Sequence, residues 1–411
     1  MSDTVLPFGD ALGVVLAQAG AVARPLAVEA VSLLDAVGRV LAEAVAADRD
    51  QPPFDRSTRD GYAVQAADVV AGCALRVVGA LRAGESWRGD SLSEGEAVEI
   101  MTGAPVPADA DAVLMVEHTA LEAGGLRVAA GRTLRVGENV VPRGAEARVG
   151  AVVLPVGRVV SAAEVAVAAS CGAAELRVYA RPRVAIVATG DELVELRETP
   201  EAWEIRNSNS YALAAMVAAE GGEAERKAIA RDTLADLRAR IAEGCEADLL
   251  LLSGGVSMGK FDFVEEALAE KGAEFFFTGA LIQPGKPIVF GRLPKAGGGW
   301  TYFFGLPGNP VSTQVCFHLF VAPMLRALAG RGDLAPKFVE ATLSEDVKGG
   351  ARVTRFLPAE MVSAWDGVTV GVVGWQGSGD VAANARGNCY AVLPAGVEMF
   401  RVGETVRVLL R

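Results

Sequence analysis

The residues best able to do chemistry fall in short loops rich in glycine, proline and acids. Thr189-Gly190-Asp191-Glu192-Leu193 follows the apolar run Val184 to Ala188. Arg231-Asp232 follows the run Lys227 to Ala230. Ser253-Gly254-Gly255-Val256-Ser257-Met258-Gly259 follows the run Asp248 to Leu252 and precedes Asp262. Glycines ahead of a helix let backbone N–H groups approach a phosphate closely, and Ser253 and Ser257 add hydroxyl donors. The same glycines also suffice for a plain strand-to-helix turn. The carboxylates of Asp191, Glu192, Asp232 and Asp262 weigh towards chemistry. Acids clustered beside a phosphate cradle suit Mg2+, which takes one or two carboxylates together with phosphate oxygens and water. One or two of the four are expected to serve only as helix caps or first-turn charges.

Two further loops suit an anion. Pro284-Gly285-Lys286-Pro287 is a rigid turn carrying one point charge. Gly305-Leu306-Pro307-Gly308-Asn309-Pro310 packs two glycines and two prolines ahead of a helix, a pattern for a ligand wall at a helix N-terminus. His318, among apolar neighbours, reads as a core or helix-face residue rather than a ligand. Pro52 to Val64 and Ile100 to Pro107 are equally dense, but physics alone assigns them nothing beyond turns.

These loops need elements to hold them. Residues 182 to 330 alternate continuous apolar runs with amphipathic helices at Ser210 to Glu220, Thr233 to Ala242 and Asp262 to Lys271. That alternation predicts a parallel-rich sheet covered on both faces, with ligands beyond the carboxyl ends of its strands. Residues 9 to 50 read as helical, from Ala11, Val14, Val15 and Ala19 and from Leu34, Val37, Leu41 and Val45. From Tyr62 to Pro155 the pattern turns to short β-like runs, residues 160 to 174 read as helix, and residues 335 to 411 are again β-rich.

The chain has 411 residues, 51% hydrophobic and 22% charged, which excludes a wholly disordered chain and fits several domains. With 39 basic and 51 acidic residues its net charge is −12, unsuited to general nucleic-acid or anionic-membrane binding. A local basic pocket for an anionic small molecule remains compatible with that balance. Histidine is limited to His118 and His318, which weakens any His-based metal site or Ser-His-Asp triad. Five scattered cysteines read as thiols in a reducing cytoplasm. The uncharged stretch Ala296 to Leu325 is broken by its Gly-Pro loop, so it reads as strand, loop and core helix rather than a membrane span.

Taken together and in order, these segments resemble the MoeA family, the molybdopterin molybdenumtransferases, which includes the E domain of gephyrin. The resemblance rests on Pro53 to Val64, Met101 to Pro107, Arg143-Gly144-x-Glu146, Thr189 to Leu193, Asn207-Ser208-Asn209, Ser253 to Gly259, Pro284 to Pro287, Gly305 to Pro310, Gln376 to Gly379 and Ala383-Asn384. It implies a multidomain α/β plus β architecture. Residues 1–50 and 147–180 would form a helical N-terminal and linker region, and 51–146 an inserted β-rich domain. Residues 181–330 would form a three-layer α/β molybdopterin-binding domain, and 331–411 a C-terminal β-barrel. The implied reaction inserts molybdate into adenylylated molybdopterin with release of AMP, using Mg2+, in a cytoplasmic homodimer. Transient contact with the molybdopterin adenylyltransferase and with apo-molybdoenzymes is also implied. The resemblance gives catalytic roles to Asp60, Thr102, Glu192, Asp232 and Asp262, with Asp60 and Thr102 reaching in from the other subunit. It gives metal-ligand roles to Asp191, Glu192, Asp232 and Asp262. Substrate binding falls to Ser253, Gly254, Gly255, Ser257, Gly259, Lys286, Pro307, Gly308, Asn309, Pro310, Ser378 and Arg355. The chain departs from the family in two places. Gln283 stands where many members have Lys, and before Phe356 both Arg352 and Arg355 compete for one anion-binding role. Two other readings are a related enzyme of the same α/β fold, adenylyltransferase or CinA-like, and a gephyrin-like scaffold.

Overall fold

The computed structural model describes residues 4–22, 27–70, 72–255, 263–350 and 352–411. At its centre is a six-stranded sheet in the order Glu223–Arg226, Arg183–Ala188, Leu249–Ser253, Trp300–Leu306, Val289–Pro294, Glu274–Phe277. Its first three junctions are parallel and its last two antiparallel. Successive side chains serve opposite faces. Val184, Ile186, Leu249 and Leu251 pack with Leu213 and Val217 of the helix Ser208–Ala219. Ala185, Val187, Leu250 and Leu252 pack with Leu237 and Ile241 of Leu234–Gly244 and with Val264 and Leu268 of Phe263–Glu270. Burial on both faces explains why these strands read as unbroken apolar runs.

The edge strand departs from the sequence reading. Lys227 to Ala230 is not a strand; the strand is Glu223–Arg226, and only Ala230 bridges to Thr189. An edge strand is half solvated, so its alternation of exposed Glu223 and Glu225 with half-buried Ala224 and Arg226 hides it from a search for apolar runs. Thr233 caps the next helix by accepting the Asp236 N–H at 3.3 Å, but the Asp236 carboxylate accepts the Arg231 N–H at 2.7 Å instead of completing a capping box.

The uncharged stretch divides as expected, into the strand Trp300–Leu306 and a helix spanning Pro310–Leu328 that is 89% buried in the protein. A π turn at Phe317–Val321 sits directly before Pro323. Proline cannot donate to the carbonyl one turn back, and the π turn absorbs that break.

The helical expectation for residues 9 to 50 holds only for Phe8–Gly20. Val28–Ser32 is a strand pairing antiparallel with Glu175–Tyr179, and Val45–Ala46 pairs with Val152–Leu154. Leu34 is 74% and Val37 53% exposed while Leu41 is fully buried, so their helix-like spacing marks no common face. Within 147–180 the only helix among the described residues is Ala162–Ser170, opened by a capping box between Ser161 and Glu164. The strands on either side of residue 51 and residue 147 are thus paired with one another. Between them the chain forms a second six-stranded sheet that contains Gly61–Val64 and Glu96–Ile100.

The C-terminal strands Phe338–Leu343, Thr354–Ala364, Gly367–Val372, Cys389–Leu393 and Thr405–Leu410 close into a barrel, because Thr354–Ala364 pairs with both Gly367–Val372 and Cys389–Leu393. Ile282–Gln283 of the α/β part adds to this barrel, in parallel with Thr354 and Arg355.

Candidate functional site

The carboxyl ends of Arg183–Ala188, Leu249–Ser253 and Trp300–Leu306 open onto a cleft of about 600 Å³. Thr189, Glu192, Asp232, Ser253, Gly254, Gly255, Pro307, Gly308, Asn309 and Pro310 line it, so most of the expected substrate-binding residues meet there. Ser257, Gly259 and Asp262 lie outside the described residues. Gly254 has φ +98°, and a Cβ there would fall 2.5 Å from the Thr189 carbonyl oxygen. Only glycine permits that approach between two loops. The Gly254 N–H is itself tied to the Leu306 carbonyl at 3.0 Å, which fixes the loop to the neighbouring strand.

The acids separate by role. Asp232 accepts the Thr189 hydroxyl at 2.9 Å. Asp191 accepts the Asp232 N–H at 3.2 Å, and its carbonyl accepts the Arg231 guanidinium at 3.0 Å. Asp191 therefore joins two loops and does not line the cleft. Glu192 and Asp232 remain as cleft carboxylates. Among the described residues no group of three His, Cys, Asp or Glu side chains comes together as a metal site. Two carboxylates beside a Ser-Gly-Gly loop still fit Mg2+, which completes its shell with substrate phosphates and water.

Asn209 is the residue that sequence reasoning passed over as a site residue. Its amide nitrogen donates to the Ser253 hydroxyl at 2.9 Å and the Gly308 carbonyl at 2.8 Å, and lies 3.3 Å from the Thr313 hydroxyl. It clamps the glycine loop to the Pro307–Pro310 loop. Its only signal in the sequence is its place in Asn207-Ser208-Asn209, where Asn207 caps the helix by accepting the Ser210 N–H at 3.2 Å.

A second hollow of about 590 Å³ adjoins the first and shares Pro287, Pro307 and Asn309 with it. Lys286, Arg355, Ser378 and Gln283 line this hollow, and Arg352 does not. The pairing of Ile282–Gln283 with Thr354 and Arg355 brings the arginine to the Lys286 turn. Arg355 donates from Nη1 to the Lys348 carbonyl at 2.6 Å, and its buried Nε has no partner among the described residues. The Ser378 carbonyl accepts the Val311 N–H at 2.9 Å, holding the Gln376–Gly379 loop against the first turn of the long helix. Gly285, at φ +113°, packs onto Cys316, where a Cβ would come 2.6 Å from Sγ. Burial pushes the Cys316 thiol far up, so it stays a neutral packing group under the turn.

Asp60 and Thr102 meet at one end of the inserted sheet, in the turns just before Gly61–Val64 and just after Glu96–Ile100. Asp60 accepts the Thr102 N–H at 2.6 Å and its hydroxyl at 2.7 Å. Those two bonds, the backbone one first, hold the carboxyl below its ordinary range. Both residues are exposed, and neither lines the cleft or the adjoining hollow. His318 is half-buried at the π turn, as its apolar neighbours suggested.

The central sheet and its cleft define a molybdopterin-binding α/β domain: residues 185–327 match the family model "Probable molybdopterin binding domain". Residues 6–172 match "MoeA N-terminal region (domain I and II)" and residues 340–410 match "MoeA C-terminal region (domain IV)". The chain belongs to the MoeA family of molybdopterin molybdenumtransferases. It is 33% identical over 386 residues to the molybdopterin molybdenumtransferase of Staphylococcus aureus (strain COL), covering 92% of this chain and 90% of that one. It is 35% identical over 390 residues to the enzyme of the same name from Nostoc sp., covering 93% and 88%. The crystal structure of the molybdopterin biosynthesis moeA protein from Pyrococcus horikoshii OT3 superimposes with a TM-score of 0.81 at 28% identity, over 99% of this chain and 100% of that one. Because the matches extend through both flanking regions, the alternative of an adenylyltransferase or CinA-like enzyme built on the α/β fold alone is set aside.

Proposed function

We propose that this chain inserts molybdate into adenylylated molybdopterin and releases AMP. One observation carries the reading: a hollow walled by Lys286, Arg355 and Ser378 opens into the glycine-loop cleft through Pro287, Pro307 and Asn309. A tetrahedral dianion needs charged and hydroxyl donors, which the hollow supplies. A phosphoanhydride needs a loop that approaches it closely and carboxylates that can hold a divalent cation, which the cleft supplies. Glu192 and Asp232 would hold Mg2+, with Asp262 a further candidate; when bound, the ion would neutralise phosphate charge and orient the attacking oxygen. Lys286 and Arg355 would bind molybdate. Asn209 would hold the two loops at a fixed separation while the nucleotide is cleaved, and molybdenum would be left on the pterin dithiolene. Five free thiols, three of them buried, suit a reducing cytoplasm.

The reaction site is completed by a second copy of the chain. Asp60 and Thr102 form a fixed acid–hydroxyl pair on the inserted sheet, away from their own chain's cleft, which supports delivery to a partner's cleft. The decisive assay is AMP release from adenylylated molybdopterin with and without molybdate. Release independent of molybdate would end the proposal. At limiting Mg2+, Asp60→Ala and Asp232→Asn homodimers should each lose most of the activity, and mixed dimers should regain part of it because one of their two sites is intact. Demonstrably mixed dimers without recovery would show that the site is not shared.

A further inference from the structure

A third hollow, of about 220 Å³, lies towards the far end of Pro310–Leu328, where the α/β domain meets the last barrel strand. Its charged and titratable lining is Glu220, His318, Arg326, Arg331, Lys337 and Arg411. Glu220 is the single acid on this wall among the described residues, and it is already engaged. Arg326 binds it with two bonds, at 2.8 and 2.6 Å, and Arg331 lies 3.5 Å away. Arg331 also grips Asp333 at 2.8 and 2.6 Å. Two acids therefore cancel two arginines.

Lys337 and Arg411 have no acidic partner among the described residues. Arg411 donates to the Asn384 carbonyl at 2.8 Å, the Asn384 side-chain oxygen at 2.9 Å and the Gly387 carbonyl at 3.1 Å, and its guanidinium lies over the Tyr390 ring at 4.4 Å. All of those partners are neutral. Neither Arg411 nor Lys337 forms an ion pair among the described residues. His318 lines the same hollow, its ring 6.2 Å from that of Tyr390 and its side chain without a hydrogen bond among the described residues. Both Lys337 and Arg411 are exposed, and they leave the small hollow with a positive lining on a chain of net charge −12, a concavity that attracts a small anion.

We propose that this hollow binds a small tetrahedral oxyanion of the phosphate or sulfate type, held by Lys337 and Arg411 beside the His318 imidazole. The bound ion would reinforce a join already made by the Leu410 N–H on the Lys337 carbonyl at 3.0 Å, because Arg411 directly follows the last barrel strand Thr405–Leu410. The site lies apart from the reaction cleft and stands whether or not the chain carries out the reaction proposed above.

His318 reports on occupancy. Burial holds its pKa down, to about 4; Arg411 adds to the effect, Glu220 opposes it and Arg326 adds again. An anion beside the ring favours the charged form and must raise that value. The chain has two histidines, so His118 in the inserted domain serves as an internal reference. Histidine-labelled protein is titrated with inorganic phosphate at constant ionic strength and followed by NMR. The His318 resonances should shift saturably and its pKa should rise, while those of His118 stay fixed. Lys337→Glu should weaken the effect at least ten-fold, and Lys337→Gln by less. Lys286→Ala, which alters only the hollow beside the cleft, should leave it unchanged. Circular dichroism and a thermal unfolding midpoint matching the parent check that the Lys337 variants fold. Sulfate and molybdate are expected to behave as phosphate does, and chloride is not. A His318 response that chloride reproduces, that persists in Lys337→Glu, or that molybdate alone produces would overturn the proposal, as would no response.

Discussion

The cleft and the adjoining hollow meet at three residues, yet they are built in opposite ways. The cleft belongs to one sheet: its walls are loops at neighbouring parallel strand ends, its charges are the carboxylates of Glu192 and Asp232 with the single cation Arg206 among the described residues, and its shape depends on backbone contacts such as Gly254 against Thr189. The hollow belongs to a seam: Lys286 comes from a turn of the α/β part, and Arg355 and Ser378 from the C-terminal part. Its charges are cations. A phosphate ester brings its own cation and meets acids; a free dianion meets lysine and arginine directly. The two sites should therefore be separable. Damage to the sheet loops should strike the nucleotide, and damage to the seam should strike the oxyanion.

The largest effect should come from Gly254→Val. A Cβ 2.5 Å from the Thr189 carbonyl must displace that residue, and Thr189 in turn holds Asp232 at 2.9 Å. Displacing Thr189 breaks its charge-assisted bond to Asp232, worth roughly 1.5–3 kcal/mol, and also closes the glycine approach to the phosphate, so nucleotide affinity should fall by on the order of a hundred-fold. Calorimetry with AMP or the adenylylated pterin measures this, and equal loss of molybdate binding would break the separation. Lys286→Ala is its counterpart in the seam. One such bond lost raises the molybdate concentration for half-maximal rate by about ten- to a hundred-fold, with nucleotide affinity little changed. Unchanged molybdate dependence would place the oxyanion elsewhere. Asp232→Asn sits below these. Asparagine can keep the Thr189 contact but loses the charge, so the Mg2+ requirement should rise by about ten-fold, roughly one charge-assisted interaction. An Mg2+ titration of AMP release that overlays the parent would leave Asp232 a loop-holding residue.

The same contrast explains what the sequence could reveal. The cleft was legible because each loop is local: an apolar run, a glycine or acid cluster, then a helix. The choice between Arg352 and Arg355 was not legible, because it depends on Gln283 pairing in register with Arg355 across a domain seam. Asn209 was missed for a similar reason. Its three acceptors lie 44, 99 and 104 residues away, and no local pattern contains them. The error in residues 27–50 differs in kind. Small and branched apolar residues at Leu34, Val37 and Leu41 imitate helical spacing, while the pairing that makes Val28–Ser32 a strand lies beyond residue 174.

The smallest and most discriminating change is Gln283→Lys. Gln283 lines the hollow, is exposed, and faces Arg355 as its direct partner across a parallel pair. A lysine there adds a positive charge for molybdate, but it also stands opposite an arginine and close in sequence to Lys286. Like charges directly opposite in a sheet cost roughly 0.2–1 kcal/mol. Exposure leaves the new charge open to screening by salt. The gain from attracting a dianion and the cost of crowding three cations therefore largely cancel without ligand, and the balance tips towards attraction when molybdate enters. The expected result is a fall in half-saturating molybdate of about two- to five-fold at low salt, equivalent to roughly 0.4–1 kcal/mol, shrinking as salt rises. Nucleotide affinity should stay constant, since Gln283 does not line the cleft. Rate measurements across molybdate concentration at two ionic strengths test this directly. A variant with the parent's molybdate dependence and salt slope would mean that position 283 does not contribute to the oxyanion wall. In that case Lys286 and Arg355 alone would set affinity, and the seam would act through fewer residues than its lining suggests.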